Sequence, residues 1–381
     1  MIGLSLSAAV IGFLLFVPGI LESKRNTITL HPPFPVSAQA QALHDQLIIG
    51  DWHADTLMWK RGLLDHADRG HLDLPRMIAG NIALQMFTAV TKSPEGQKHE
   101  GNSADATDSI TSLVVAQLWP PRTWNSLLQR AIYQAKRLHD YADASDGQLR
   151  VIKTRADLET LLSDRAAGQI VVGGLLGIEG AHALEGDLAN LDKLVAAGHR
   201  MIALQHFFDN ALGGSLHGEG NQGLTDFGRQ VVAQVEARGL VLDITHSSLQ
   251  VARDVLEITD MPIVVSHTGI FSVCPVKRNF PDDLMQAIAA KGGVIAIGYW
   301  ADVTCDDSPS GVAATIKAAV ELLGEDHVSL GSDFDGAVAT GFDASQLAAL
   351  THALIEVGLS DGQISKIMGG NMIRVLRARL R

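Results

Sequence analysis

Basic charge is scarce in this sequence. Its 381 residues contain 30 Lys and Arg against 42 Asp and Glu, which gives a formal net charge of −12 with the histidines neutral. Nucleic-acid binding requires a basic face that neutralises phosphates, so the sequence predicts no nucleic-acid partner. An acidic balance is common among soluble enzymes and excludes little else.

Cysteine is almost absent. The two cysteines, Cys274 and Cys305, fit no zinc-ribbon or CxxC spacing. From these residues alone, they are either two unrelated buried thiols or one disulfide. A disulfide would require an oxidising compartment.

Long apolar runs are absent except at the start of the chain. Residues 1–21 are almost continuously apolar and end at the polar residues 22–25, and about 20 such residues cross a bilayer core. No Lys or Arg precedes the run, so the charged start of a signal peptide is poorly formed. We interpret residues 1–22 as an uncleaved transmembrane anchor of ambiguous orientation. The alternatives are a cleaved export signal and a buried helix.

The rest of the chain divides into two parts. Residues 23–42 contain HPPFP and a Ser/Ala/Gln stretch, and we interpret them as a linker. The tripeptide 38–40, Ala-Gln-Ala, resembles a cleavage site but lies far from the apolar run. Residues 43–381 show no break in composition and are interpreted as one catalytic domain.

A Gly-rich nucleotide motif is also missing, because no GxGxxG follows the first apolar run of this domain. Its absence argues against a doubly wound dinucleotide-binding sheet. Eight short apolar runs are present instead, rich in Val, Ile and Leu without strict alternation, as expected of strands buried on both faces. The runs are Gln46–Gly50, Asn81–Phe87, Ile170–Ile178, Met201–Gln205, Leu240–Ile244, Pro262–Ser266, Gly293–Gly298 and Val328–Gly331.

Amphipathic helical patterns lie between the runs, and the long connection over residues 88–169 must hold extra helices. The clearest patterns are Ser126–Asp140, Asp187–Ala197, Asp226–Arg238, Ser248–Ile258, Asp282–Lys291 and Gly311–Leu323. Eight strands that alternate with helices predict an α/β fold, a (β/α)₈ TIM barrel, here with the N-terminal hydrophobic anchor segment.

Imidazoles and carboxylates follow six of the eight predicted strands, where a (β/α)₈ barrel forms its active site. One such residue alone is more often a satisfied histidine or a helix cap. Together they would be costly to bury without a metal, and this mixture of nitrogen and oxygen ligands suits Zn²⁺. The residues are His53, Asp55, Glu179, His206, His246, His267, Asp333 and Asp335.

Ten other histidines lie in loops or helices away from the predicted strand ends and are not expected at the site. They are His44, His66, His71, His99, His139, His182, His199, His217, His327 and His352.

Eight separated motifs make the sequence resemble the renal or membrane dipeptidase family, peptidase family M19. They occur in the family's order from about residue 45 to the C-terminus: GDWHADT, GIEGAHAL, ALQHFFDN, LTDFGRQVV, LVLDITHSS, VVSHTG, KRNFPDD and GSDFDG. The resemblance implies a dipeptidase with two zinc ions per chain. His53 and Asp55 would hold the first zinc, Glu179 would bridge both, and His246 and His267 would hold the second.

The resemblance also implies how a dipeptide is hydrolysed. A metal-bridged hydroxide would attack the peptide carbonyl, and a zinc with His206 would stabilise the oxyanion. Asp333, beside the first zinc, would handle protons and contact the free amine. Arg278 would pair with the free C-terminal carboxylate. Recognition of both termini would limit the substrate to two residues.

Further expectations concern the cysteines, the location of the domain, its oligomeric state and Trp52, and the first of them is implied by the family resemblance. Cys274 and Cys305 should be bonded, which places the catalytic domain in the periplasm or outside the cell while the N-terminal segment attaches it to the membrane. A homodimer is also expected. Trp52, where small residues are common in the family, is expected to narrow the site.

Two other functions remain open. The first is another binuclear-metal hydrolase of amidohydrolase type, acting on a cyclic amide, lactone or β-lactam. Such enzymes usually begin with HxH and often use a modified lysine as the bridge, whereas this chain has HxD and Glu179. The second is a non-catalytic, envelope-tethered binding protein with a vestigial site. It would be favoured by loss of a ligand, and all the expected ligands are present.

Overall fold

Eight parallel strands form a closed barrel. The computed structural model describes residues 17–381. Each strand pairs with the next, and β8 pairs with β1 through Leu330 and Asp51, which closes the barrel. This confirms the predicted TIM barrel. The strands are β1 Ile49–Ala54, β2 Ile82–Val90, β3 Val172–Glu179, β4 His199–Ala203, β5 Val241–Asp243, β6 Ile263–Thr268, β7 Val294–Ile297 and β8 Val328–Leu330.

Helices connect the barrel strands, and residues 17–25 are also helical. Each of the six helices predicted from the sequence is present, and its bounds lie within four residues of those expected. The α-helices are Ala38–His44, Leu74–Ala79, Ser109–Ala116, Leu127–Ala144, Arg155–Ala166, Ala189–Ala197, Asp226–Ala237, Leu249–Ile258, Asp282–Ala290, Ala301–Thr304, Pro309–Leu323, Leu347–Glu356, Asp361–Ser365 and Asn371–Arg379. Short 3₁₀ turns occupy Thr56–Met58, Pro121–Thr123, Ala181–Leu184, Glu325–His327 and Ala344–Gln346, and a π turn occupies Lys366–Gly370.

The strands and helices follow directly from local sequence. Apart from Arg200, every residue of the barrel strands is buried, which explains why their sequences are largely apolar. Several helices begin where a hydroxyl side chain accepts a hydrogen bond from a free backbone N–H. Thr225 accepts from Gly228 and Ser248 from Val251, and each such cap contributes about 1 kcal/mol.

The predicted anchor, residues 1–22, lies mostly outside the described residues. Within residues 17–381, no helix is long and apolar enough to cross a membrane. The segment interpreted as a linker makes defined contacts. Thr27–Ile28 forms a short strand parallel to Ala339–Thr340, and Ser37 caps the helix Ala38–His44.

The expectation for Trp52 is wrong. Its side chain is fully buried in a core cluster with Leu84 and Met372 and does not line the site. The register of β1 against β2 shifts between Asp51 and Ala54. Beside this irregularity Trp52 packs in the core, while its neighbour His53 reaches the other side chains predicted at the strand ends.

Candidate metal centre

The side chains predicted at the strand ends converge on Glu179, the last residue of β3. Its Oε1 lies 3.5 Å from Nε2 of His53, 3.2 Å from Nε2 of His246 and 3.4 Å from Nε2 of His267. Its Oε2 lies 3.4 Å from Nε2 of His206. One carboxylate therefore contacts imidazoles from four different strand ends.

A second group of ligand atoms lies beside the first and shares His53 with it. Nε2 of His53 is 3.5 Å from Oδ1 of Asp55 and 3.9 Å from Oδ1 of Asp333. Thr88 donates a 2.6 Å hydrogen bond to Asp55 Oδ1 and orients that carboxylate. Three sets of ligand atoms, each within 4.8 Å of one another, therefore overlap: His53, Glu179 and His267; Glu179, His206 and His246; and His53, Asp55 and Asp333.

Hydrogen bonds behind the cluster determine which imidazole nitrogens face it. Ser266 Oγ donates to Asp243 Oδ2 at 2.6 Å, so it accepts from Nδ1 of His267 at 2.9 Å. Nδ1 of His206 donates to the carbonyl of Lys92 at 3.1 Å. In both rings the proton is on Nδ1, and the Nε2 lone pair points toward Glu179. Ligating histidines in metal sites are oriented in this way.

Charge in the cluster fits a cation. Burial, together with the charges of Asp55 and Asp333, raises the pKa of Glu179 well above its ordinary value. Burial also raises the pKa of Asp333 to about 8. The surrounding side chains thus supply too little positive charge to balance these carboxylates. This is expected at a site where a bound metal ion supplies that charge.

His53 carries the same signal. Burial lowers its pKa, but the charges of Glu179 and Asp55 outweigh burial and raise the pKa to about 10. Nε2 of His53 is fully buried and has no hydrogen-bond partner among the described residues. A metal ion would displace the proton from this nitrogen, so the donor set and this orphaned buried atom both fit a metal.

Arg278 lies at the same site, in the loop after β6. It is buried, donates from Nη2 to the carbonyl of His267 at 2.7 Å and lies over the ring of Trp300. Burial lowers its pKa to about 10, so the guanidinium is still charged at neutral pH. Its remaining donors face a cavity of about 350 Å³ that is also lined by Glu179, His206 and Asp333, a size typical of a small-molecule site.

Two histidines expected away from the site lie beside it, so that expectation is wrong for them. His99 lines the cavity. His217 stacks on Phe207 at 4.5 Å, and its ring centroid is 5.1 Å from that of His246. Both come from long loops that fold over the barrel mouth. In such loops, the distance in sequence from a strand end does not indicate whether a residue lies near the site.

Sequence reasoning also missed the supporting residues Asp51, Asp243 and Ser266. Asp51 accepts from the backbone N–H of His53 at 3.0 Å and of Ser332 at 2.9 Å, and so joins β1 to the end of β8. A signal was available, since each is a polar residue inside an otherwise apolar strand.

The two cysteines are joined. Cys274 and Cys305 form a disulfide across 31 residues. It links the loop after β6, which carries Arg278, to the segment after β7. The expected bond is confirmed.

Comparison with known families gives one match over almost the whole chain. The family model of membrane dipeptidase, peptidase family M19, matches residues 37–380.

Individual relatives agree with that match. The chain is similar to dipeptidase aclJ of Aspergillus oryzae, with 34% identity over 216 residues that cover 54% of this chain and 51% of that protein. It is also similar to dipeptidase verJ of Clonostachys rogersoniana, with 28% identity over 314 residues that cover 80% of this chain and 75% of that protein. The chain therefore spans about half the length of the first relative.

A solved structure is also similar. It is a metallo peptidase from Rhodobacter sphaeroides, liganded with a phosphinate mimic of the dipeptide L-Ala-D-Ala. The TM-score is 0.70 at 25% identity, covering 87% of this chain and 99% of that one.

Proposed function

This chain belongs to the membrane dipeptidase family, peptidase family M19, a family of metallo-dipeptidases, and from that premise we propose that it hydrolyses dipeptides with two zinc ions bound at the cluster around Glu179. The observation that carries the proposal is the sharing of Glu179 and His53 among overlapping sets of ligand atoms. A single metal would leave part of this buried donor set uncompensated, whereas two metals account for both groups of ligand atoms around Glu179 and His53.

We assign the ligands as follows. His53 and Asp55 would hold one zinc, His246 and His267 would hold the other, and Glu179 would be shared between them. The lone-pair orientation of His267 and the orphaned Nε2 of His53 support this assignment. Zinc, when bound, supplies a water of lowered pKa and polarises the peptide carbonyl.

The chain's own residues hold the substrate and move its protons. His206 keeps its Nδ1–H on the Lys92 carbonyl, so its Nε2 faces the cavity beside Glu179, where it contacts the substrate and the oxyanion. Asp333, whose carboxylate is near His53, accepts a proton and contacts the free amine. The catalytic residues are therefore Glu179, His206 and Asp333.

The free carboxylate of the dipeptide pairs with Arg278. That guanidinium is buried, fixed by one hydrogen bond to a backbone carbonyl, and has donors left for a ligand. Planar bidentate binding of a carboxylate suits Arg. An anion-binding group at one end and Asp333 at the other restrict the substrate to two residues.

A related hydrolase with a modified-lysine bridge is less well supported. Glu179 occupies the bridging position, and among the described residues no lysine lines the cavity. The disulfide supports a catalytic domain in the periplasm or outside the cell, because such bonds persist in oxidising compartments. Attachment to the membrane by residues 1–22 and formation of a homodimer stay predictions.

Chelation and restoration test this function. The purified enzyme is depleted of metal, then supplied with Zn²⁺ and assayed on Ala-Ala dipeptides of both configurations at the second residue, on trialanine and on N-acetylated Ala-Ala. We expect zinc-dependent hydrolysis of the free dipeptides and little turnover of the other two. Equal turnover of the N-acetylated or tripeptide substrates would contradict a dipeptidase.

A further inference from the structure

The N-terminal segment before the family match makes buried contacts close to the active site. Residues 17–25 form a helix outside the matched range of 37–380. Glu22 on this helix is only 1% exposed. Its carboxylate accepts from Nε of Arg61 at 2.6 Å and from Nε of Arg69 at 3.0 Å. A carboxylate this deeply paired anchors the segment to the barrel.

Arg61 relays this contact to the loop after β8. Its guanidinium pairs with Asp335 as well as with Glu22 and donates to the carbonyl of Leu72 at 2.6 Å. Asp335 is fully buried and stands two residues after Asp333. The N-terminal helix and the loop that carries Asp333 therefore share one arginine.

Other contacts from the barrel hold Asp335. Its carboxylate accepts from Thr56 Oγ1 at 2.6 Å and from the backbone N–H of His71 at 2.7 Å. Its carbonyl accepts from Nε1 of Trp59 at 2.6 Å. These bonds fix the inner half of the loop, and Arg61, which is held by Glu22, supplies the positive charge that faces Asp335.

The outer half of the loop is held by the N-terminal segment itself. Asn26 Oδ1 accepts from the backbone N–H of Ala337 at 2.8 Å. Thr27–Ile28 pairs in parallel with Ala339–Thr340, and the backbone N–H of Thr29 donates to the carbonyl of Thr340 at 2.8 Å.

This loop needs such support because its backbone is unusual. Asp333, Asp335 and Ala337 all have left-handed conformations, with φ of 59°, 63° and 63°. A non-glycine residue in this region is disfavoured and persists only where its surroundings hold it. Three such residues in a span of five make the loop dependent on the contacts described above.

We propose that residues 22–29 form a clamp that holds the 333–340 loop, and that Glu22 and Asn26 are positioning residues for Asp333. The proposal rests on the proposed function only for the catalytic role of Asp333. It also implies that the mature enzyme keeps residues 22–29. Cleavage at the small residues 38–40 would remove the clamp, and those residues lie in the helix Ala38–His44, where Ala40 is buried.

Paired substitutions at Asn26 separate positioning from folding. Asn26→Leu removes the acceptor for the Ala337 N–H, whereas Asn26→Asp keeps an oxygen there. Small displacements of a reacting group cost about 10²-fold in rate, so we expect Asn26→Leu and Glu22→Leu to lower kcat at least about tenfold, with KM within about threefold and zinc content unchanged. Asn26→Asp should keep most of the wild-type kcat, because it retains an acceptor for the Ala337 N–H.

Two control variants accompany these. Lys24→Ala changes an exposed residue of the same helix, and Glu159→Gln removes a carboxylate that pairs with Arg377 on the surface. Both should leave kcat unchanged. Folded Asn26→Leu protein with normal kcat, or equal losses in Asn26→Leu and Asn26→Asp, would overturn the clamp. If Glu22→Leu does not fold, the comparison of kcat between Asn26→Leu and Asn26→Asp decides whether the clamp positions Asp333.

Amide hydrogen exchange gives a readout that does not depend on activity. The clamp predicts faster exchange over residues 333–340 in Asn26→Leu than in the wild type and no change in β5. Unchanged exchange in that loop would contradict the clamp, whether or not the wild type hydrolyses dipeptides. A wild type that hydrolyses no dipeptide would refute the proposed function and would leave the clamp to be judged by exchange. An active mature chain whose intact mass lacks residues 22–29 would also overturn the clamp.

Discussion

Nδ1 of His267 donates a hydrogen bond to Oγ of Ser266, 2.9 Å away. The Ser266 hydroxyl donates its hydrogen bond to Oδ2 of Asp243 at 2.6 Å, so its oxygen accepts from the imidazole. Its Oγ also lies 3.3 Å from Nδ1 of His53. One hydroxyl therefore contacts two of the proposed ligands from behind.

Ser266→Ala should weaken zinc binding while leaving the fold intact. Loss of a supporting hydrogen bond behind a ligand typically costs about 10–100-fold in metal affinity. Competition with a chromophoric chelator measures this. Ser329→Ala is the matched control, because Ser329 is a buried strand serine whose Oγ has no partner among the described residues. Equal affinities in the two variants would show that Ser266 does not orient the ligands.

Arg278→Ala should lose activity on a free dipeptide and keep its metals. A charge-assisted hydrogen bond is worth about 1.5–3 kcal/mol, or about one to two decades in kcat/KM. The same dipeptide with an amidated C-terminus has no carboxylate to pair and should show a much smaller loss. An equal loss on both substrates would exclude Arg278 as the carboxylate-binding residue.

The disulfide predicts a protein with no free thiol. Alkylation without reductant should add no mass, whereas alkylation after reduction in denaturant should modify Cys274 and Cys305. Replacing both by Ala should lower the free energy of unfolding by about 2–4 kcal/mol, since the bond closes a loop across 31 residues. Two alkylated thiols in the native protein would refute the bond and the oxidising location it supports.

His199 predicts a loss of stability in acid. Burial lowers its pKa from 6.5 to about 4, helped by the charges of Arg200 and His139. Between these pH values the unfolded chain binds the proton and the folded chain does not. Stability is therefore full above pH 6.5 and falls toward pH 4, by about 3 kcal/mol for this group.

The substitution His199→Gln tests that assignment. Nδ1 of His199 lies 3.1 Å from the carbonyl of Gly177, and a glutamine amide can keep a donor there without titrating. Urea unfolding at pH 7 and pH 4.5 should show a smaller difference for the variant than for the wild type. The same difference in both proteins would show that His199 is not responsible.

The eight strands and the ligands at their ends are predictable from sequence because each signal is local. A run such as Val328–Leu330 is mostly apolar and buried, and the acidic Asp333 comes three residues after it. Residues brought in by long loops, such as His99 and His217, are not predictable in this way, since their position depends on how loops cross the barrel mouth.

Contacts between distant segments are also beyond local patterns. Trp52 is next to His53 in sequence, but its side chain packs in the core with residues that are distant in sequence, such as Met372. Glu22 lies at the end of an apolar run that suggests only a membrane segment, yet it pairs with Arg61, 39 residues away. Nothing in either local sequence signals that pairing.

Zinc content measured together with dipeptide turnover, in the wild type and in Glu179→Gln, decides whether Glu179 is shared by two zinc ions. We expect two zinc ions per wild-type chain, since Glu179 contacts ligands of both sets. The variant should hold less zinc and lose nearly all turnover, while its fold is kept. Glu179→Gln protein that binds stoichiometric zinc and turns over dipeptide normally would contradict the two-metal site bridged by Glu179.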